Sequence, residues 1–242
     1  MPEAGKSPDI PGDAPSSANP SAASCRRKWI EIAIVVLLTI VPAVRLGLLQ
    51  ISEGESDQDL WRFDYAFLAM EFALALLWIL PAGVLILVAP EGLGNFGVRK
   101  LKWKADFGLG VVGTLLCLAA WYGLNPLFAK WGWQQQGNFM APVEDVWEAI
   151  FCVLSTIISC FGQELSCRAH LQTRLSEALR PWIGIPVAVA LFTSFHIYQG
   201  AAGVAHAAVF GLILALLFRF SKCVWPCIVA HTLWNLAVYL VP

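Results

Sequence analysis

The chain has 242 residues, 58% of them hydrophobic and only 14% charged, against roughly 25% charged in an ordinary soluble domain. A water-soluble globule of this size could not cover so much apolar surface, which excludes a soluble enzyme, a nucleic-acid binder or a disordered scaffold as a description of the whole chain. The net charge of −1 says little; where the charges sit says more.

Residues 1–28 form a tail rich in Pro, Ser and Ala that buries too little to fold alone and is expected to be disordered. It is not a secretory signal, because no apolar stretch precedes Ala22-Ala23-Ser24-Cys25. About 20 mostly apolar residues are needed to cross a hydrocarbon core. Seven stretches qualify, near 29–51, 66–89, 106–128, 147–166, 183–199, 203–220 and 224–241. The fifth and sixth are joined by the uncharged turn Gln199-Gly200-Ala201-Ala202-Gly203. The pattern predicts an all-α polytopic transmembrane bundle of about seven spans, with eight as the alternative count. It divides into a cytoplasmic tail (1–28), N-terminal membrane helices (29–145) and a C-terminal bundle (146–242). The 7 Cys have no zinc-finger spacing and read as small buried hydrophobes. The 11 Trp suit membrane–water interfaces.

Charge gives orientation. Lys6, Arg26, Arg27 and Lys28 precede the first span. Arg99, Lys100, Lys102 and Lys104 follow the second, Arg168, Arg174 and Arg180 the fourth, and Arg219 and Lys222 the sixth. Thirteen of the 16 Lys and Arg thus fall on alternate sides. The opposite side holds Arg62, Lys130 and Arg45, with Glu53, Glu55, Asp57, Asp59, Asp64, Glu144 and Asp145. The positive-inside rule then predicts a cytoplasmic N-terminus and an external C-terminus.

An ionisable group inside a bilayer is expensive and usually marks function. The second half of the chain carries Glu164, Arg168, His196, His206, His231 and Asn235 in or beside its spans. In the first half, Arg45 and Glu71 sit near span ends, where snorkelling is the cheaper reading. Glu164 with Arg168, Phe192 with His196, and His231 with Asn235 are each four residues apart, so each pair shares a helix face. If the fourth helix runs on to Arg180 and turns back, Glu164 lies about 24 Å from the turn and His196 roughly 18–24 Å along the return. The long helix is favoured, with Arg168, His170, Arg174 and Glu177 lining a wet cavity. The alternative lays 169–180 flat on the membrane surface. A carboxylate and an imidazole at one depth can deprotonate a water. A second imidazole and an amide can bind an oxyanion, and Arg168 can orient Glu164 and keep it charged. Glu164, His196 and His231 would also resemble an open zinc site. Either version predicts peptide-bond hydrolysis in or near the membrane.

The stretches Gln163-Glu164-Leu165-Ser166-Cys167-Arg168, Phe192-Thr193-Ser194-Phe195-His196 and His231-Thr232-Leu233-Trp234-Asn235 resemble an intramembrane endopeptidase family, the CPBP family. That family includes CAAX prenyl proteases of the Rce1 type and bacterial proteins linked to bacteriocin processing and immunity. The resemblance covers about 147–242, with His196-Ile197-Tyr198-Gln199-Gly200 and Val224-Trp225-Pro226 also similar. It implies an Rce1-like core in which Glu164 and Arg168 match the second Glu and the Arg of a Glu-Glu-x-x-x-Arg motif. His196 matches the water-activating His, and His231 and Asn235 the oxyanion stabilisers, each on a membrane helix. It further implies a glutamate mechanism without a cofactor, zinc being the alternative, and a membrane-bound protein or peptide, lipidated or C-terminally tailed, as partner.

The chain departs from that motif at Gln163, where the family has a first carboxylate; an amide cannot take a proton. Either Glu164 does the work after a small register change, or the chain is a non-catalytic relative that binds a peptide or confers immunity. A small proton-coupled transporter is the third class, since buried Glu and His also form proton relays; no inverted repeat is evident. The plainer readings are a Glu164–Arg168 ion pair tying helices together and His196, His231 and Asn235 as interhelical hydrogen-bonders. His206 is expected to be structural or to line the cavity, His170 to be interfacial, Cys167 inert, and Cys25 a candidate for acylation.

Overall fold

A computed structural model describes residues 22–53, 62–135 and 141–240. The expectations for residues 1–21 of the tail, and for Glu55, Asp57 and Asp59, lie outside the described residues. The described residues form helices α1 (Ala22–Val35) and α2 (Val41–Glu53), joined by the π-helical Val36–Ile40. They are followed by α3 (Tyr65–Val88), α4 (Trp103–Lys130), α5 (Val146–Glu164), a second π segment (Leu165–Gln172), α6 (Thr173–Leu179), α7 (Pro181–Ser194), α8 (Gly200–Ser221) and α9 (Trp225–Leu240). Counting α1–α2 and α5–α6 each as one rod gives seven rods in the expected order.

Among the described residues, five rods are long and apolar enough to cross a membrane: Ala22–Ile51, Tyr65–Val88, Trp103–Lys130, Val146–Leu179 and Ile197–Ser221. The other two, the 14-residue α7 and the 16-residue α9, fall short of a full span. The expected fifth span ends early because the chain leaves the helix at Phe195 and His196, makes a 3-10 turn over Ile197–Gln199, and restarts at Gly200 with φ 68°. The first rod begins at Ala22, inside the stretch expected to be disordered. Its start is held by Arg27, 3.2 Å from Glu31 one turn on, and by Lys28, 3.2 Å from Glu177.

Helix starts follow local chemistry. Asp64 caps α3 through the Phe67 amide at 2.9 Å, and Asp145 caps α5 through the amides of Trp147 and Glu148, satisfying donors that a helix start leaves open. The reversal between α6 and α7 is one residue wide. Arg180 takes φ 70°, Pro181 opens α7 with its preset φ, and Gly184 allows the two helices to touch. A Cβ there would lie 2.5 Å from Leu175 backbone.

Side-chain contacts sort the loops into two ends. At one end Arg174 joins Glu31, Glu91 and Glu177, Val224 N–H donates to the Gly97 carbonyl, and the Trp225 indole donates to the Arg99 carbonyl. At the other, Arg62 pairs with Glu144 and Glu148, and the Phe63 ring lies 5.5 Å from Tyr239. These are the two groups into which the charge alternation divides the chain. Trp103, Trp131, Trp147 and Trp182 are exposed at rod ends, where an amphipathic ring is best placed.

Residues 165–180 do not lie flat on a surface. They continue α5, and all eight residues of the π segment are buried. Nor do Arg168, His170 and Arg174 line a wet cavity, as the sequence suggested: each is fully buried. A π turn takes about one residue more than an α turn and so brings successive side chains inward, against α1, α3 and α7.

Candidate active site

The site is built where α5 changes pitch. Gly162 lets α5 close on α3, since a Cβ there would stand 2.9 Å from the Trp78 Cβ and 3.3 Å from the Ala75 carbonyl. Gln163 and Glu164 follow, then the π segment, whose Ser166 hydroxyl donates to the Trp78 carbonyl and whose Gln172 amide donates to the Ala215 carbonyl at 2.8 Å. π segments inside α-helices recur at functional sites. Here the π segment begins at the residue after Glu164 and contains Arg168.

Glu164 is fully buried and meets two partners. Its Oε1 lies 2.8 Å from His231 Nδ1 on α9, and its Oε2 lies 3.4 Å from Arg168 Nε. Arg168 carries its guanidinium 4.4 Å above the centroid of the Phe192 ring, where the ring quadrupole attracts it. Its two terminal nitrogens meet no hydrogen-bond acceptor among the described residues. One turn beyond His231, the Asn235 amide donates to Cys160 Sγ at 3.5 Å. Two motif residues of α9 thus meet α5, from positions 67 and 75 residues apart in sequence.

His196 stands differently. It lies in the turn after α7 rather than on a membrane helix, contrary to expectation, because the helix ends at Ser194. Its Nδ1 bonds the Phe192 carbonyl at 3.0 Å, and its ring packs among Phe192 and Phe195 at 4.9 and 4.5 Å. The Phe192 ring also lies 6.0 Å from His231. Phe192 is therefore the common neighbour of Arg168, His196 and His231. The structure brings Glu164, Arg168 and His231 into direct contact and places Asn235 one turn away. It sets His196 across the Phe192 ring.

The three side chains of the alternative zinc site, Glu164, His196 and His231, meet other partners in this arrangement. Glu164 Oε1 and His231 Nδ1 face each other at hydrogen-bond distance, and His196 Nδ1 bonds the Phe192 carbonyl, which leaves its Nε2 as the free ring nitrogen. No three His, Cys, Asp or Glu side chains gather as metal ligands among the described residues.

Several side chains sit elsewhere than expected. His170 is fully buried rather than interfacial, stacked on Phe96 at 6.0 Å and 3.8 Å from Glu31, because the π segment turns it inward. His206 bonds Asn125 of α4 through Nε2 at 2.8 Å, under the Trp121 ring at 4.0 Å, an interhelical tie. All seven Cys are free, with six buried and Cys25 exposed. Glu71 does not snorkel. It lines a cavity of about 180 Å³ with Ser159, Gln163, Phe195 and Tyr198. Sequence reasoning passed over Glu71 because it lies six residues into its span, and depth alone does not tell a snorkelling carboxylate from one aimed at a neighbouring helix.

Residues 145–237 match the family described as Type II CAAX prenyl endopeptidase Rce1-like. The match opens at the residue that caps α5 and closes two residues past Asn235, so it contains Glu164, Arg168, His196, His231 and Asn235. No curated protein and no solved structure matches the chain. With five rods apolar and long enough to span a bilayer, this is an integral multi-pass membrane protein, and its residues 145–237 are similar to the Rce1-like family of intramembrane proteases.

Proposed function

We propose that this protein is an intramembrane endopeptidase that hydrolyses a peptide bond of a membrane-associated, lipidated or C-terminally tailed protein. One observation carries the reading: the buried 2.8 Å contact between Glu164 and His231, which joins two of the three motifs in an apolar interior. Leaving buried charged and polar groups there is costly unless they are used. Water activation is assigned to a carboxylate together with His196, and sequence spacing nominates Glu164. Glu164 has a second task, fixing the His231 ring so that Nε2 points away from it toward a developing oxyanion. The Asn235 amide adds a donor. Arg168 holds Glu164 in its charged, acceptor form. No step in this reading passes through a metal ion.

The N-terminus is assigned to the cytoplasm and the C-terminus to the far side. The basic loops and the start of α1 gather at one end of the bundle, and Tyr239 lies at the other.

A second reading, a non-catalytic relative that binds a peptide or confers immunity, is favoured by Gln163 alone. The test is cleavage of a membrane-tethered peptide library by the full chain in bilayer nanodiscs, beside His196→Ala and His231→Ala. Cleavage that both variants abolish supports the peptidase. A wild type that binds but never cuts gives the protein to the second reading.

A further inference from the structure

Resting on the peptidase reading, we propose that the water-activating carboxylate is Glu71 of α3, with Gln163 and Ser159 holding the water and the base in line. Glu164 is poorly placed for that step. It has no exposed surface, each of its oxygens faces a partner, and it does not line the cavity. Glu71 does line it, beside Gln163, and beside Phe195 and Tyr198, which flank His196.

Hydrogen-bond polarity makes the case. The Gln163 Nε2 amide donates to Ser159 Oγ at 3.1 Å, one helical turn back. Ser159 Oγ–H is then left to donate, and the carboxylate beside it in the cavity is Glu71. A hydroxyl has one proton to give, so the chain has one direction, from Gln163 through Ser159 to Glu71. A carboxylate at 163 would accept as Glu71 does; both would compete for the single Ser159 proton, and two like charges would share one hydroxyl. The amide at 163 is thus the complement of an acid at 71. Gln163 Oε1 is left buried with no donor among the described residues. It is an acceptor for a water, and a cavity of about 180 Å³ has room for several at about 30 Å³ each.

In the reaction, that water loses a proton to Glu71 as its oxygen bonds to the scissile carbonyl carbon, forming a tetrahedral oxyanion. The carbon–nitrogen bond then breaks, and the proton passes from Glu71 to the departing nitrogen. The products are one carboxylate end and one amine end, with no other reactant consumed.

The test uses the full chain in nanodiscs and whichever peptide of the tethered library it cuts, with thermal melts run on every variant. Glu71→Gln should lower kcat at least about a hundredfold with KM little changed, and Gln163→Glu alone should lower it too. The double variant, Glu71→Gln with Gln163→Glu, moves the acid across the hydroxyl and should recover at least tenfold over Glu71→Gln. A structural role for Glu71 would not produce that rescue. Glu71→Gln within threefold of wild type overturns the proposal, as does Gln163→Glu cutting faster than wild type. So does a well-folded double variant without rescue. In each of these cases the peptidase reading stands, because wild type cuts. If wild type cuts nothing, the peptidase reading falls and takes this proposal with it.

Discussion

Two buried ionic clusters divide this molecule, and they differ in how fully their charges are answered. At the basic end, Arg174 gives each guanidinium nitrogen a carboxylate: Glu31 at 2.5 Å, Glu177 at 2.9 Å and Glu91 at 3.3 Å. Arg27 and Lys28 supply two further cations, and the Phe96 ring backs the guanidinium at 4.6 Å. In the middle of the bundle, Arg168 has Glu164 alone, and its terminal nitrogens meet no acceptor among the described residues. The first cluster is a staple joining the start of α1, the end of α3 and α6. The second is incomplete in a place where incompleteness is expensive.

Breaking each cluster should therefore fail in a different assay. The largest effect expected is on chemistry. His231→Ala should reduce kcat by roughly a hundredfold to a thousandfold in single-turnover cleavage of the tethered peptide, with the melting temperature shifted far less. Arg174→Met should reverse that pattern. It leaves three carboxylates facing one another and should cost about 3–5 kcal/mol of stability by denaturant melts in detergent, while cleavage per folded molecule stays within a few-fold. If Arg174→Met instead abolishes cleavage at full stability, the division between staple and site is wrong.

Two smaller effects sharpen the contrast. His206→Phe removes the tie to Asn125 and should cost about 0.6 kcal/mol, a usual value for an interhelical hydrogen bond, with the cleavage rate unchanged. The smallest effect concerns Glu91, in the loop after α3. Burial alone would raise its carboxyl, but the hydrogen bond from Arg174 outweighs this and holds it below the usual glutamate range. A carboxyl lowered by folding stabilises above its unfolded pKa and loses that contribution as pH falls through the folded value. Melts of wild type should therefore weaken below about pH 4.3 more than those of Glu91→Gln. The gap should stay under about 1 kcal/mol, since Glu91 is exposed and solvent screens the pair.

What was legible in advance was whatever depends on a residue and its near neighbours. Apolar length marked the rods, and Lys and Arg placement separated the two ends that the Arg174 cluster and the Arg62 pairs later joined. The four-residue intervals put Glu164 with Arg168 and His231 with Asn235. Three features were not legible. His196 was read as helical because Phe192 to His196 has a helical interval, yet the helix stops at Ser194. His170 was read as interfacial, and the π segment buries it. Glu71 was read as snorkelling because Ser159 and Gln163, which share its cavity, lie far along the chain.

By itself, then, the sequence determined that this chain lives in a bilayer, which loops share a side, and which polar residues are expensive to bury there. All of these follow from transfer energies, and transfer energies are summed residue by residue. Only the tertiary structure decided which carboxylate meets which imidazole, that Glu164 is taken by His231, and that Glu71 stands in the cavity with Gln163. Those pairings depend on the pitch of one helix and the close approach of α5 to α3 at Gly162, and a shift of a single residue along either helix would dissolve them.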